Sequence, residues 1–221
     1  MRMGLVPTML LLAVLMPAAA TAAAREDGAL VIRVTDARGA PVADAIVSVR
    51  PRAGAVAVAP RSPAARRTID QKDLAFVPGV EVFRPGDEVV FRNSDATRHH
   101  VYSFAAGAKF EFVLAPHESS PPFRLERPGA VAVGCNIHDS MIAWLYVSDA
   151  PWIVRTGADG SASFDGLPPG GYEVRAWQPR LRPGRGEPLR TVVVAAGATA
   201  SLSFALPLLP PPLPGHEHMR Y

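Results

Sequence analysis

Prolines and glycines, 23 and 18 of them in 221 residues, punctuate this chain so often that no convincing helical pattern survives outside its N-terminus. Proline fixes φ and removes a backbone donor, and glycine accepts φ values other residues avoid, so both end regular elements. Short β-branched or alternating runs recur between them, at 30–34, 45–49, 80–83, 88–91, 101–104, 130–133, 142–147, 172–176, 191–194 and 200–204. Runs of this length and spacing predict an all-β protein built from sandwiches. Pro85-Gly86-Asp87, Asp159-Gly160 and Pro168-Pro169-Gly170-Gly171 supply turns between them.

The N-terminus reads as an export signal over residues 1–24. Arg2 gives the positive start, 9–16 the apolar stretch, and Ala20-Thr21-Ala22-Ala23-Ala24 a small-residue cleavage site. The apolar run is short of the ~20 residues that span a bilayer, so the expectation is a periplasmic protein with no membrane anchor after cleavage. The net charge of +3 is small beside 23 basic and 20 acidic residues, which argues against a nucleic-acid partner. Arg61, Arg66 and Arg67, like Arg180, Arg182 and Arg185, sit among prolines and glycines and read as solvated loops. Residues 51–65 read as a joint and 207–221 as a proline-rich, extended tail. His216 and His218 in that tail could bind copper loosely, but a tail that binds nothing is the better reading.

Cys135 is the single cysteine. After export it has no internal disulfide partner, so burial, an intermolecular bond or a metal must occupy it. Its surroundings favour the metal: Gly134-Cys135-Asn136-Ile137-His138-Asp139-Ser140-Met141 holds a thiolate, an imidazole and a thioether within seven positions. A second imidazole would complete the His₂Cys plane with weak axial Met that copper electron-transfer sites use. Asn93-Ser94-Asp95-Ala96-Thr97-Arg98-His99-His100-Val101 offers two candidates. Structural zinc prefers closed sets of four Cys and His ligands, and methionine suits it poorly. Because the sulfur must be a thiolate, affinity should fall at low pH.

Residues 68–147 resemble the cupredoxins, in two motifs that appear in order along the chain. Phe91-Arg92-Asn93, then His99 six positions on and Val101, resembles the segment of plastocyanins and amicyanins that carries their first histidine ligand, and the match selects His99 over His100. Cysteine, two residues, histidine, two residues, methionine is similar to the amicyanin ligand loop. The resemblance implies a Greek-key sandwich holding one copper, cycling between Cu(I) and Cu(II), through His99, Cys135, His138 and Met141. It also implies single-electron exchange with a protein redox partner, such as a periplasmic cytochrome or oxidoreductase. Departures are His100, where these families commonly carry an asparagine that ties the ligand loops, and Ile137 and Asp139, where amicyanins have prolines. The chain lacks the His-x-His pairs of trinuclear oxidases in this region. Asn136 stands where copper nitrite reductases place a second-site histidine, no Gly-x-Ser-x-Gly marks a hydrolase, and His117 reads as a loop residue. An enzyme is therefore not expected. The alternative is a non-redox copper protein for storage, delivery or sensing, or an adhesion module with a vestigial site.

Val34-Thr35-Asp36, Gly39-Ala40-Pro41-Val42 and Ala45-Ile46-Val47 resemble the opening hairpin of carboxypeptidase regulatory-like, transthyretin-type sandwiches. Thr156-Gly157-Ala158-Asp159-Gly160 through Tyr172-Glu173-Val174 resembles the middle of the same family. The expected organisation is a cupredoxin-like domain at 66–151 inserted into a smaller sandwich made of 29–51 plus 152–206. Proteins of this combined layout are often called methylamine-utilisation-like, though no residue specifies amine chemistry.

Overall fold

The structure, a computed structural model, describes residues 26–52, 63–182, 184 and 186–210. The export segment, most of the joint and the His216/His218 tail lie outside the described residues. Sixteen strands and no helix are found among those described, so the protein is all-β.

Two sheets enclose the first core. One has the order β4 (Ala75–Val77), β3 (Arg66–Lys72), β6 (Glu88–Asn93), β9 (Phe123–Arg124); the other is β5 (Val80–Phe83), β11 (Ile142–Val147), β10 (Gly129–Cys135), β7 (His99–Ala105), β8 (Ala108–Leu114). Alternation along each strand decides what meets inside. Val89, Phe91 and Asn93 of β6 face Val101 of β7, Val131 and Val133 of β10, and Ala143 and Leu145 of β11. Cys135 and Met141 belong to this same buried cluster. His99 opens β7 and Cys135 closes the antiparallel β10, with Cys135 opposite Val101, so both arrive at one end of the core.

The second core lies between β13 (Ser161–Leu167), β1 (Gly28–Asp36) and β16 (Thr199–Leu206) on one side and β12 (Trp152–Arg155), β2 (Ile46–Pro51), β14 (Gly170–Trp177) and β15 (Leu189–Val194) on the other. Here the structure corrects one expectation. β1 and β2 do not form a hairpin; they sit in different sheets. Each has a strongly apolar inward face, with Leu30, Ile32 and Val34 on β1 and Val47 and Val49 on β2. The two faces meet across the core, and the segment between the strands is long enough to cross the sandwich.

The two cores meet along a seam of Ile46, Val80 and Tyr146, flanked by Val82, Trp144, Ile153 and Trp177. Arg84 reinforces it by donating to the carbonyls of Ala150 and Pro151 at 2.9 and 3.1 Å, and Arg155 donates to Val80 O at 2.7 Å. Chain direction alone suggests that the second sandwich attaches near the pole opposite the cysteine loop. The seam instead runs along the outer face of β5 and β11, and Trp144 in it is only three residues past Met141. Trp144 and Tyr146 on the outward face of β11 meet Trp177 at the end of β14, and these aromatic contacts favour flank contact over end contact.

Candidate metal centre

Period-two geometry places the candidate ligands. Val101 is fully buried, so His99, two residues earlier on β7, points the same way and is itself fully buried, while His100 points out. The same logic puts Cys135 in line with Val131 and Val133. Between β10 and β11 the chain makes a tight loop, closed by Cys135 N donating to Met141 O at 3.2 Å and Met141 N donating to His138 O at 3.0 Å. That closure returns the buried Met141 to the core and holds His138 beside the thiol.

The donor atoms converge. Cys135 Sγ lies 3.7 Å from His99 Nδ1 and 3.8 Å from His138 Nδ1. The three ligand atoms all lie within 4.8 Å of one another, and the two imidazole rings are 5.0 Å apart at 60°. Bonds of about 2.3 Å to sulfur and about 2.0 Å to imidazole, opened to about 120°, separate S and N by about 3.7 Å; a tetrahedral angle would give about 3.5 Å. The observed spacings of 3.7 and 3.8 Å are of the size one shared ion would set. A soft sulfur with two imidazoles is a donor set that fits copper, and Met141 lies buried in the same cluster as Cys135. His99, Cys135, His138 and Met141 are thus gathered at one end of the core; His100 is not among them.

Asp95, unnoticed in the sequence, orients the site. Its Oδ2 is 2.9 Å from His99 Nε2. A carboxylate on that nitrogen keeps it protonated and leaves Nδ1, the nitrogen facing Cys135, as the free acceptor. Two backbone N–H groups steady the carboxylate: Asp73 donates to Oδ1 at 2.6 Å and Leu74 to Oδ2 at 3.2 Å. Burial pushes the Asp95 carboxyl up, but the His99 bond and these amides outweigh it and hold the group below its ordinary value. Asn93, fully buried, shapes the loop before His99: its amide donates to the carbonyls of Thr97, Leu114 and Ala115, and its Oδ1 accepts from Asp95 N at 3.0 Å. Asparagine followed two residues on by a residue bonded to its side chain is an Asx turn, a signal present in Asn93-Ser94-Asp95.

His100 has a different task. Its Nε2 is 2.6 Å from Glu111 Oε1, its carbonyl accepts from Asn136 N at 3.0 Å, and its Nδ1 is 3.4 Å from Asn136 Nδ2. The two ligand-bearing segments are therefore tied through His100 and Asn136, despite the absence of an asparagine after His99. Ile137 and Asp139 are both exposed, and His117 lies in an exposed turn with φ of 65°.

No protein-family profile and no curated protein matches the chain. Among solved structures, a copper-containing nitrite reductase from Thermus scotoductus SA-01 is 26% identical, with a TM-score of 0.33, over 45% of this chain and 25% of its own. A purple cupredoxin from Nitrosopumilus maritimus is 18% identical over 37% of this chain and 98% of its own, with a TM-score of 0.33. A reduced amicyanin variant is 18% identical over 48% and 99%, with a TM-score of 0.34. The chain thus spans a quarter of the reductase's length, and its structural neighbours include cupredoxins.

Proposed function

We propose that this protein is an exported blue-copper electron carrier. The observation that carries the reading is one buried thiol on which two imidazole Nδ1 atoms converge, at 3.7 and 3.8 Å, the first imidazole being fixed by Asp95. Cys135, His99 and His138 would hold a single copper ion, and Met141 would supply a fourth, weaker sulfur ligand. Bound there, copper would supply a Cu(I)/Cu(II) one-electron couple. The chain's part is to keep the ligands still. Cys135 is packed among Val101, Val133 and Met141, His99 is pinned at both ring nitrogens, and the Cys135–Met141 backbone bond closes the loop. A site that need not rearrange exchanges electrons quickly. His138 is half-buried, with exposed Ile137 and Asp139 beside it, so the loop around it is the natural crossing point to a protein partner such as a periplasmic cytochrome or oxidoreductase. We further propose that 66–151 is the copper-carrying domain and that 29–51 with 152–206 forms a carboxypeptidase regulatory-like module.

Reconstitution with Cu(II), followed by visible absorption and paramagnetic resonance, tests the reading. An intense thiolate-to-copper band that disappears in Cys135→Ser supports it. A colourless protein holding one tightly bound zinc would refute it.

A further inference from the structure

The outward face of the five-stranded sheet is covered on only one half. Over β5 and β11 the second sandwich lies against it, with Trp177 set 5.8 Å from Trp144 and 4.8 Å from Tyr146, centroid to centroid. Beyond Trp144 the same face continues across β10 and β7 with similar apolar character and no covering element among the described residues, and ends at the charged outward edge of β8. Ala130, Ala132 and Gly134 floor a groove there, walled by Ile142 and Trp144 on one side and Tyr102 and Phe104 on the other. Tyr102 lies down over Gly134; a Cβ on that glycine would come within 2.9 Å of the phenol. Phe104 stands up instead, 75% exposed, and Ile142 is 56% exposed. Large exposed apolar side chains grouped on one face mark an interaction surface.

We infer that this face binds a second copy of the chain in an isologous dimer, each Phe104 seated in the other's groove. Knob and hole sit on the same surface, which is what two-fold pairing requires. The groove holds ≈ 380 Å³, well above the ~150 Å³ that accepts a benzene ring. Charge favours a copy over a steered partner. Lys109 lies opposite Phe104 and Glu111 opposite Tyr102 in the β7–β8 register, so the rim carries one charge of each sign. A face with no net sign cannot draw in an oppositely charged protein, and it does not repel itself. The Trp144–Trp177 seam, continuous with the groove, already shows this sheet taking an apolar, aromatic cover.

Sedimentation velocity of the full chain, metal-free and copper-loaded, from about 1 to about 100 μM, reads the association directly. The expected result is a dimer in both forms, since the face does not involve the ligands. Phe104→Asp and Ala132→Arg should each weaken it at least tenfold, a change on the order of that for a central interface residue. Val193→Asp, at an equally exposed apolar position on β15, should leave it intact, and melting temperatures should confirm that all three variants fold. A chain that stays monomeric throughout overturns the proposal, as does a dimer unmoved by both groove variants. A monomer whose electron exchange with a foreign protein falls in Phe104→Asp assigns the face to that partner and equally overturns it.

Discussion

Asp95 and His99 show how much a single contact decides. His99 is fully buried, so the Asp95 bond sets which ring nitrogen carries the proton and how the ring is turned. Asp95→Ala should lower copper affinity about 10- to 100-fold, the usual effect of losing an outer partner of a ligating histidine. Asp95→Asn, which keeps an acceptor oxygen, should retain more of it. Equal losses in the two variants, measured by competition with a chelator of known affinity, would place the effect in the loop rather than in the hydrogen bond. A second test separates neighbours. His99→Ala should abolish the thiolate colour, whereas His100→Ala should keep it, because His100 faces Glu111 and solvent. If His100→Ala bleaches the protein and His99→Ala does not, the ligand assignment is off by one residue.

At the scale of elements, the turn between β3 and β4 is as much part of the site as the ligand loop. Asp73 and Leu74 both have positive φ, 55° and 57°, and that backbone turns their N–H groups onto Asp95. Ser94 strengthens the joint, with N donating to Gln71 O and Oγ to Asp70 Oδ2, at 2.9 and 2.8 Å. A leucine in left-handed conformation is strained by roughly 1–2 kcal/mol, and this one is 41% exposed. Leu74→Gly should therefore cost nothing in thermal melts, or stabilise by a fraction of a kcal/mol after the ~0.5–1 kcal/mol entropic cost of glycine, with copper affinity unchanged. A clear loss would mean the leucine side chain, not its N–H, matters. This turn was illegible in the sequence because β3 reads Arg66-Arg67-Thr68-Ile69-Asp70-Gln71-Lys72, with one apolar residue turned inward; its partners in the sheet, not its own pattern, make it a strand. β8 carries only a short alternating signal, Lys109-Phe110-Glu111-Phe112, weaker than the β-branched runs around it. The approach of His138 to Cys135 was readable because the loop's chemistry is local: three candidate donor types lie within seven positions. Asp95 was not, since its role depends on where β7 starts.

At the scale of the molecule, the seam couples two cores whose strands interleave along the chain, since β1 and β2 precede the sheets of the first core and β12 to β16 follow them. Tyr146 is its centre. The ring is almost fully buried against Trp177, and its hydroxyl donates to Glu187 Oε1 at 2.8 Å. Burial, followed by the Glu187 bond, pushes the phenol well above its ordinary value of 10.0. The sign follows directly. Below pH 10 the phenol is neutral in folded and unfolded chains alike, and its contribution is fully present. Above pH 10 the unfolded chain releases the proton while the folded one keeps it, so stability falls as pH rises, by up to about 1.4 kcal/mol per pH unit. Tyr172, raised mainly by its own burial in the second core, adds to the same alkaline limb. Tyr146→Phe removes one of the two titrations, so unfolding free energies measured between pH 9 and about 11.5 should fall less steeply than in the parent, though from a lower start because Glu187 loses its donor. Calorimetry on the metal-free chain reads both quantities. An unchanged alkaline slope in Tyr146→Phe would mean that the phenol ionises freely in the folded state, and that the seam is open to water where the structure closes it.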